Sequence, residues 1–217
     1  MINGVIFDMD GLMLDTETLY QRFWCEAAHF YGYPMKPEHP VMIRSLARPL
    51  AAAKLKKIVC EDFDYHKVRN KRLELMNAYI EENGLEKKEG LDTLLVYLQE
   101  HRYKCAVATA TSYDRTEKYL IQLDLMKYFD AIVCPPMIQN GKPDPEIYLT
   151  AAEKLQLPPE QCIALEDSPN GISSAYRAGC KPVMVPDLAP PDEETTAMLY
   201  ACVDNLAEVI SLLETET

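Results

Sequence analysis

Hydrophobic positions along the chain form two kinds of run that alternate. Short unbroken apolar runs occur at Gly4-Val5-Ile6-Phe7, Cys105-Ala106-Val107-Ala108, Ala131-Ile132-Val133-Cys134, Cys162-Ile163-Ala164-Leu165 and Pro182-Val183-Met184-Val185. Runs of this length without polar alternation predict strands buried on both faces. Between them, apolar residues recur every three or four positions. Leu91, Leu94, Leu95 and Leu98 form one such stripe, and Tyr119, Leu120 and Leu123 a second. Ile147, Ala151 and Leu155 form a third, and Leu206, Val209, Ile210 and Leu213 a fourth. Each predicts a helix. Asp144-Pro145 reads as a helix cap and first residue, Ser168-Pro169 as a second cap, and Gly179 as a helix end.

One stretch interrupts the alternation. After the first strand, Asp8-Met9-Asp10-Gly11 reads as a turn. Leu19, Phe23, Ala27 and Phe30 then predict a helix starting near Thr16-Glu17. The strings AAAKLKKI and RNKRLELMNAYIEE also read as helix, with Pro34, Pro37, Pro40 and Pro49 as breaks. From the helix near Thr16-Glu17 to about Glu86 no strand is predicted. Strands alternating with helices imply a parallel sheet with helices on both faces. The predicted fold is therefore α/β: a doubly wound, Rossmann-like parallel sheet built from residues 1–15 and 86–217. An α-helical cap over residues 16–85 is inserted in it.

Composition narrows the function. A chain of 217 residues makes one large domain, or one domain with an insert. With 48% hydrophobic and 26% charged residues it can bury a core. Its net charge of −12 argues against nucleic-acid and anionic-membrane partners, which need Lys and Arg to meet phosphate. No apolar run approaches the roughly 18 residues of a membrane span. The opening MINGVIFDMD lacks a basic n-region, so no signal peptide is expected. The seven cysteines include no C-x-x-C pair and read as small buried hydrophobes in a reducing compartment. A cytoplasmic monomer is the expectation.

Four places carry candidate chemistry: Asp8-x-Asp10-Gly11, Thr109-Ala110-Thr111-Ser112, Lys142 in GKPDPEIY, and Glu166-Asp167-Ser168. Most follow predicted strands, and ligands of an open parallel sheet bind beyond the strands' carboxyl ends. Asp8, Thr109 and Asp167 should therefore converge there. Asp8, Asp10, Glu166 and Asp167 in one crevice would repel one another, and a hard divalent cation with oxygen ligands, such as Mg2+, relieves that. Lys142 and the donors after the second strand suit a phosphoryl group. Singly, each feature has an ordinary structural explanation as a turn, a cap or a solvated loop. Their order and spacing within one core favour a shared site.

The strings FDMDG, ATATS, GKPDPEIY and LEDSPNG resemble the four motifs of the haloacid dehalogenase superfamily. The likeness is to its branch with a helical cap after the first strand, which holds β-phosphoglucomutase and many small-molecule phosphatases. That resemblance implies Asp8 as a nucleophile forming an aspartyl-phosphate and Asp10 as general acid/base. It implies Thr109 and the Ala110 amide as holders of the phosphoryl oxygens, and Lys142 as a bridge from Asp8 to the phosphoryl group. Asp8, Asp10 (through its backbone carbonyl), Glu166 and Asp167 would hold Mg2+. Asp10 marks the phosphotransferases and disfavours dehalogenation. The implied substrate is a small phosphorylated metabolite, such as a sugar phosphate. In the cap, Arg44 and Arg48 are both candidates for the arginine that contacts substrate in the family's Gly-x-x-Arg pattern, with Ser45 in the glycine's place. Sugar mutases resembling this chain usually carry histidine where Tyr20 stands, which favours a phosphatase over a mutase. Trp24 is expected to pack in the core.

Overall fold

The computed structural model describes residues 1–44, 46–187 and 190–215. Its strands are β1 (Gly4–Phe7), β2 (Lys104–Ala108), β3 (Ala131–Val133), β4 (Cys162–Glu166), β5 (Lys181–Met184) and β6 (Ala201–Cys202). The first four helices are α1 (Glu17–Phe30), α2 (Glu38–Val41), α3 (Arg48–Ile58) and α4 (Tyr65–Asn83). They are followed by α5 (Leu91–Glu100), α6 (Tyr113–Gln122) and α7 (Glu146–Leu155). The last three are α8 (Pro169–Arg177), α9 (Glu193–Thr196) and α10 (Val209–Thr215).

The sheet is wholly parallel, in the order β3-β2-β1-β4-β5-β6. Residues of β1 alternate between two apolar layers. Val5 and Phe7 join Leu94, Leu98, Leu120 and Val209 on one face. Ile6 joins Ile147, Ala151 and Ala175 on the other. A strand covered on both sides needs apolar residues at every position, which is why β1 reads as an unbroken run. A third apolar cluster, containing Trp24, Leu55, Phe63 and Val68, lies wholly within α1–α4 and their loops. Trp24 packs there against Tyr65, with ring centroids 5.4 Å apart. The chain leaves and re-enters the sheet layer through two adjacent segments. Asp15 N–H donates to Glu86 O (3.0 Å) and Lys88 N–H to Met13 O (2.9 Å). No helix among the described residues is long and apolar enough to cross a membrane.

Local details differ from the sequence reading. Phe30, expected on the buried stripe of α1, is 66% exposed, while Trp24 and Ala28 join Phe23 and Ala27 inside. The buried face is wider than a single stripe because α1 packs on both α4 and the third cluster. Helix α7 starts one residue later than predicted, with Asp144 Oδ1 accepting from Glu146 N–H (3.0 Å). Strand β6 was not predicted; two residues are too few to show any period. All seven cysteines are free, but only Cys105, Cys134, Cys162 and Cys180 are buried. Cys202 is exposed because it lies on the short β6 at the sheet's edge.

Candidate active site

Strand β1 lies beside both β2 and β4, and the strand order reverses there, so the crevice opens at its carboxyl end. Phe7 is in register with Leu165, so Asp8, just past β1, stands beside Glu166, the last residue of β4. Asp8 N–H still bonds to Leu165 O (3.0 Å), which holds its carboxyl group at the strand end. Thr109 follows β2 in the same way, its N–H bonded to Val133 O (3.0 Å).

Lys142 is the centre of this floor and is itself buried. Its Nζ donates to Asp8 Oδ1 (2.5 Å) and Ala108 O (3.0 Å) and lies 2.6 Å from Glu166 Oε1. The Tyr148 hydroxyl also donates to Glu166 Oε1 (2.6 Å), and Ser168 Oγ to Glu166 Oε2 (3.3 Å). Ser168 caps α8 as well, accepting from Gly171 N–H. Gly171 has to be glycine, because a Cβ there would fall on the Glu166 carboxylate. Gly11, at φ +85°, is likewise required: a Cβ would collide with Asp167 Oδ2.

Burial pushes the Asp8 carboxyl well above its usual range; Lys142 opposes that, and Glu166 and Asp167 add to it. Burial works against the charge on Lys142, but Asp8 and Glu166 hold its pKa above the ordinary lysine value. Burial also raises Asp167, against Arg44 and with Glu17 and Glu166. Glu17 itself is pushed up to about 8, first by burial and then, against the pull of Arg44, by Asp10, Asp187 and Asp8.

Asp8, Glu166 and Asp167 each place a carboxylate oxygen within 4.8 Å of the others, all three buried. Asp167 Oδ1 has no hydrogen-bond partner although it is enclosed. A close set of hard oxygen donors with one buried acceptor unused fits a magnesium ion. The Asp10 carboxylate is turned elsewhere: it accepts from Thr16 Oγ1 (3.0 Å) and Thr111 Oγ1 (2.7 Å). Those two hydroxyls fix its orientation across a cavity of about 330 Å³, which Asp8, Asp10, Thr109, Ala110 and Lys142 help to line. Thr109 Oγ1 also makes a local bond, accepting from Thr111 N–H (3.1 Å).

The two cap arginines have different surroundings. Arg44 is not at a solvated helix end. It is buried, bonds to Asp167 Oδ2, and lies 3.2 Å from Glu17 Oε2 and 3.9 Å from Asp187 Oδ2. Arg48 is exposed at the start of α3 and lines the cavity. Ser45 lies outside the described residues. Sequence reasoning missed Glu17, Asp187 and Tyr148. Asp187 follows β5 and was within reach of the strand-end rule; Glu17 looked like an ordinary first-turn acid of α1.

Residues 5–185 match the family described as haloacid dehalogenase-like hydrolase, and the chain belongs to it. Among curated relatives, a phosphorylated carbohydrates phosphatase of Thermotoga maritima is 34% identical over 191 residues, covering 82% of each chain. A β-phosphoglucomutase of Bacillus subtilis is 28% identical over 186 residues, covering 82% of this chain and 80% of its own. Among solved structures, CbbY from Rhodobacter sphaeroides in complex with phosphate superimposes with a TM-score of 0.80 at 25% identity, over 96% of each chain.

Proposed function

We propose that this protein is a phosphoric monoester hydrolase of small phosphorylated metabolites, with sugar phosphates as its substrate class and Asp8 as its nucleophile. The observation that carries this reading is the floor of the cavity. Asp8 is fixed by Lys142 beside Glu166 and Asp167, and Asp10, held by Thr16 and Thr111, lines the same cavity. The relative named for phosphorylated carbohydrates supports the substrate class. In this reading residues 16–85 act as the substrate-selecting cap on a core of residues 1–15 and 86–217.

In the first displacement an Asp8 carboxylate oxygen attacks phosphorus, an O–P bond forms, and the bond to the leaving oxygen breaks. Asp10 gives that oxygen a proton. In the second, Asp10 takes a proton from water, whose oxygen attacks the phosphorus and frees Asp8. The transferred group is nearly a metaphosphate, so positioning and charge neutralisation carry most of the catalysis. Lys142 supplies positive charge at Asp8, and Thr109 with the Ala110 amide supplies donors for the phosphoryl oxygens. Asp8, Glu166 and Asp167 would hold Mg2+, with the Asp10 backbone completing the set; bound there, the ion would neutralise charge on nucleophile and phosphoryl group.

Tyr20 favours hydrolysis over phosphate relocation. It is half-buried, and burial, reinforced by Asp10, pushes its hydroxyl well above the ordinary tyrosine value, so it does not exchange a proton near neutrality. The test incubates the enzyme with β-glucose 1-phosphate, Mg2+ and a trace of glucose 1,6-bisphosphate, and follows glucose 6-phosphate and free phosphate together. Free phosphate is expected. Glucose 6-phosphate formed with little phosphate release would make the chain a mutase.

A further inference from the structure

Away from its carboxylate floor, the same cavity changes sign. Arg48 enters it from the start of α3, Arg69 and Arg72 from α4, and Arg115 from α6. Arg69 and Arg72 are three residues apart on one helix and so share a face. Among the described residues, none of the four has a carboxylate partner; their recorded contacts are neutral. Arg115 donates to Asn77 Oδ1 (2.7 Å). Arg72 reaches Met76 Sδ (3.9 Å), and its guanidinium lies 4.4 Å from the Tyr20 ring centroid and 5.3 Å from that of Trp24. Arg72 is 5% exposed, yet its Nε has no hydrogen-bond partner.

This is unusual in a chain with 34 acidic and 22 basic residues. Arg44, in the cap segment just before α3, shows the ordinary outcome: once buried, it pairs with Asp167 and Glu17. The cations of the recess instead repel one another. Burial lowers Arg69, with Arg48 and Arg115 adding to it, and burial lowers Arg72, with Arg115 and Arg69 adding to it. Buried like charges are unfavourable until an opposite charge joins them. The two aromatic rings fix the plane of the Arg72 guanidinium, and a planar fork suits the paired oxygens of phosphate or carboxylate. A cavity of about 330 Å³ has room for a metabolite and not for a macromolecule.

We propose that Arg69, Arg72 and Arg115 bind a second anionic group of the substrate, so that the preferred substrates are phosphomonoesters carrying a further phosphate or carboxylate. The identity of the first anion rests on the phosphatase reading; the recess itself does not. One end of the molecule lies at Asp8 and the other against α4 and α6. Specificity then comes from leaving three cations unanswered when a singly charged ester enters.

The test measures equilibrium binding by calorimetry to Asp8→Asn, which cannot turn over. The probes are glucose 6-phosphate, 6-phosphogluconate and fructose 1,6-bisphosphate. At least one doubly anionic probe is expected to bind tenfold or more tightly than glucose 6-phosphate. Whichever does so identifies carboxylate or phosphate as the second group. Arg69→Gln and Arg115→Gln should each reduce that preference threefold or more. Arg115 lies on α6, outside residues 16–85, so its variant keeps the test open if the Arg69 change unfolds the cap. Equal affinity for the three probes, or a preference that survives both substitutions, overturns the proposal. An intact preference in a protein that hydrolyses no phosphomonoester overturns the phosphatase reading alone.

Discussion

The floor of the cavity and its arginine-lined wall treat charge in opposite ways. On the floor, Lys142 lies between Asp8 and Glu166, and Asp167 meets Arg44. On the wall, Arg69, Arg72 and Arg115 have no carboxylate partner among the described residues; Arg72 meets Met76 and the Tyr20 ring, and Arg115 meets Asn77. A charge answered from within the chain is held in one place, as chemistry at a fixed atom requires. A charge left unanswered is available to a ligand, as selection among ligands requires. The floor is built on strand ends of the sheet, and the wall on α4, which packs on α1, and on α6, whose Leu120 packs on the sheet.

The largest effect should come from the centre of the floor. Asp8→Asn is expected to lower turnover by at least about 10³-fold, because an amide is a far poorer nucleophile at phosphorus. The fold should persist, since a neutral group replaces a carboxylate that burial disfavours. Steady-state kinetics and circular dichroism check both halves, and near-normal turnover would remove Asp8 from the mechanism.

Lys142→Met should be the most destabilising single change in the comparison. It leaves Asp8 and Glu166 buried without their cation, at a cost of about 3–5 kcal/mol. Arg48→Ala, on the exposed rim, should cost no more than about 0.5 kcal/mol and act on KM instead. Urea denaturation of the two variants separates these outcomes; equal losses would erase the distinction between floor and wall.

Without metal, the floor should lose stability as pH rises. The folded Glu17 carboxyl is pushed from 4.5 to about 8, so the folded state binds its proton more tightly than the unfolded state. That contribution is complete below about 4.5 and is lost as pH rises through about 8. Asp8 and Asp167 shift in the same direction. In chelator, Tm should therefore fall between pH 5 and pH 8, and Glu17→Gln should flatten the slope. Mg2+ at about 100 times its Kd should restore about 2.7 kcal/mol at the alkaline end. A Tm that climbs across this window in chelator would show the acids to be compensated already.

The smallest effect concerns neither region. Burial pushes the Cys105 and Cys180 thiols up to about 12 and Cys162 to about 11, so they should resist alkylation in the native protein. Exposed Cys202 should react first, and mass spectrometry after a short iodoacetamide pulse would locate the label.

The sheet and the position of Asp8 were legible in the chain because their signals are local. A strand covered on both faces has to be apolar throughout, and a polar residue directly after it has to lie at the strand's end, so Gly4–Phe7 followed by Asp8 could be read without coordinates. The family motifs were legible for the same reason, as each is a short string. Strand β6 was not, having two residues, and neither was the wide buried face of α1, whose width depends on what packs beside it.

The amino-acid sequence by itself determined the order of strands and helices and the identity of the groups at the strand ends. Tertiary structure decided which of the remaining charges meet. Arg44, Glu17, Asp167 and Asp187 come from separate segments and converge in one buried cluster, while Arg69 and Arg115, from α4 and α6, converge on the cavity with no carboxylate partner among the described residues. Nothing in the local strings distinguishes these arginines. Period and capping act within a few residues, whereas the energy of a buried charge is set by groups that may stand a hundred positions away in sequence and a few ångströms away in space.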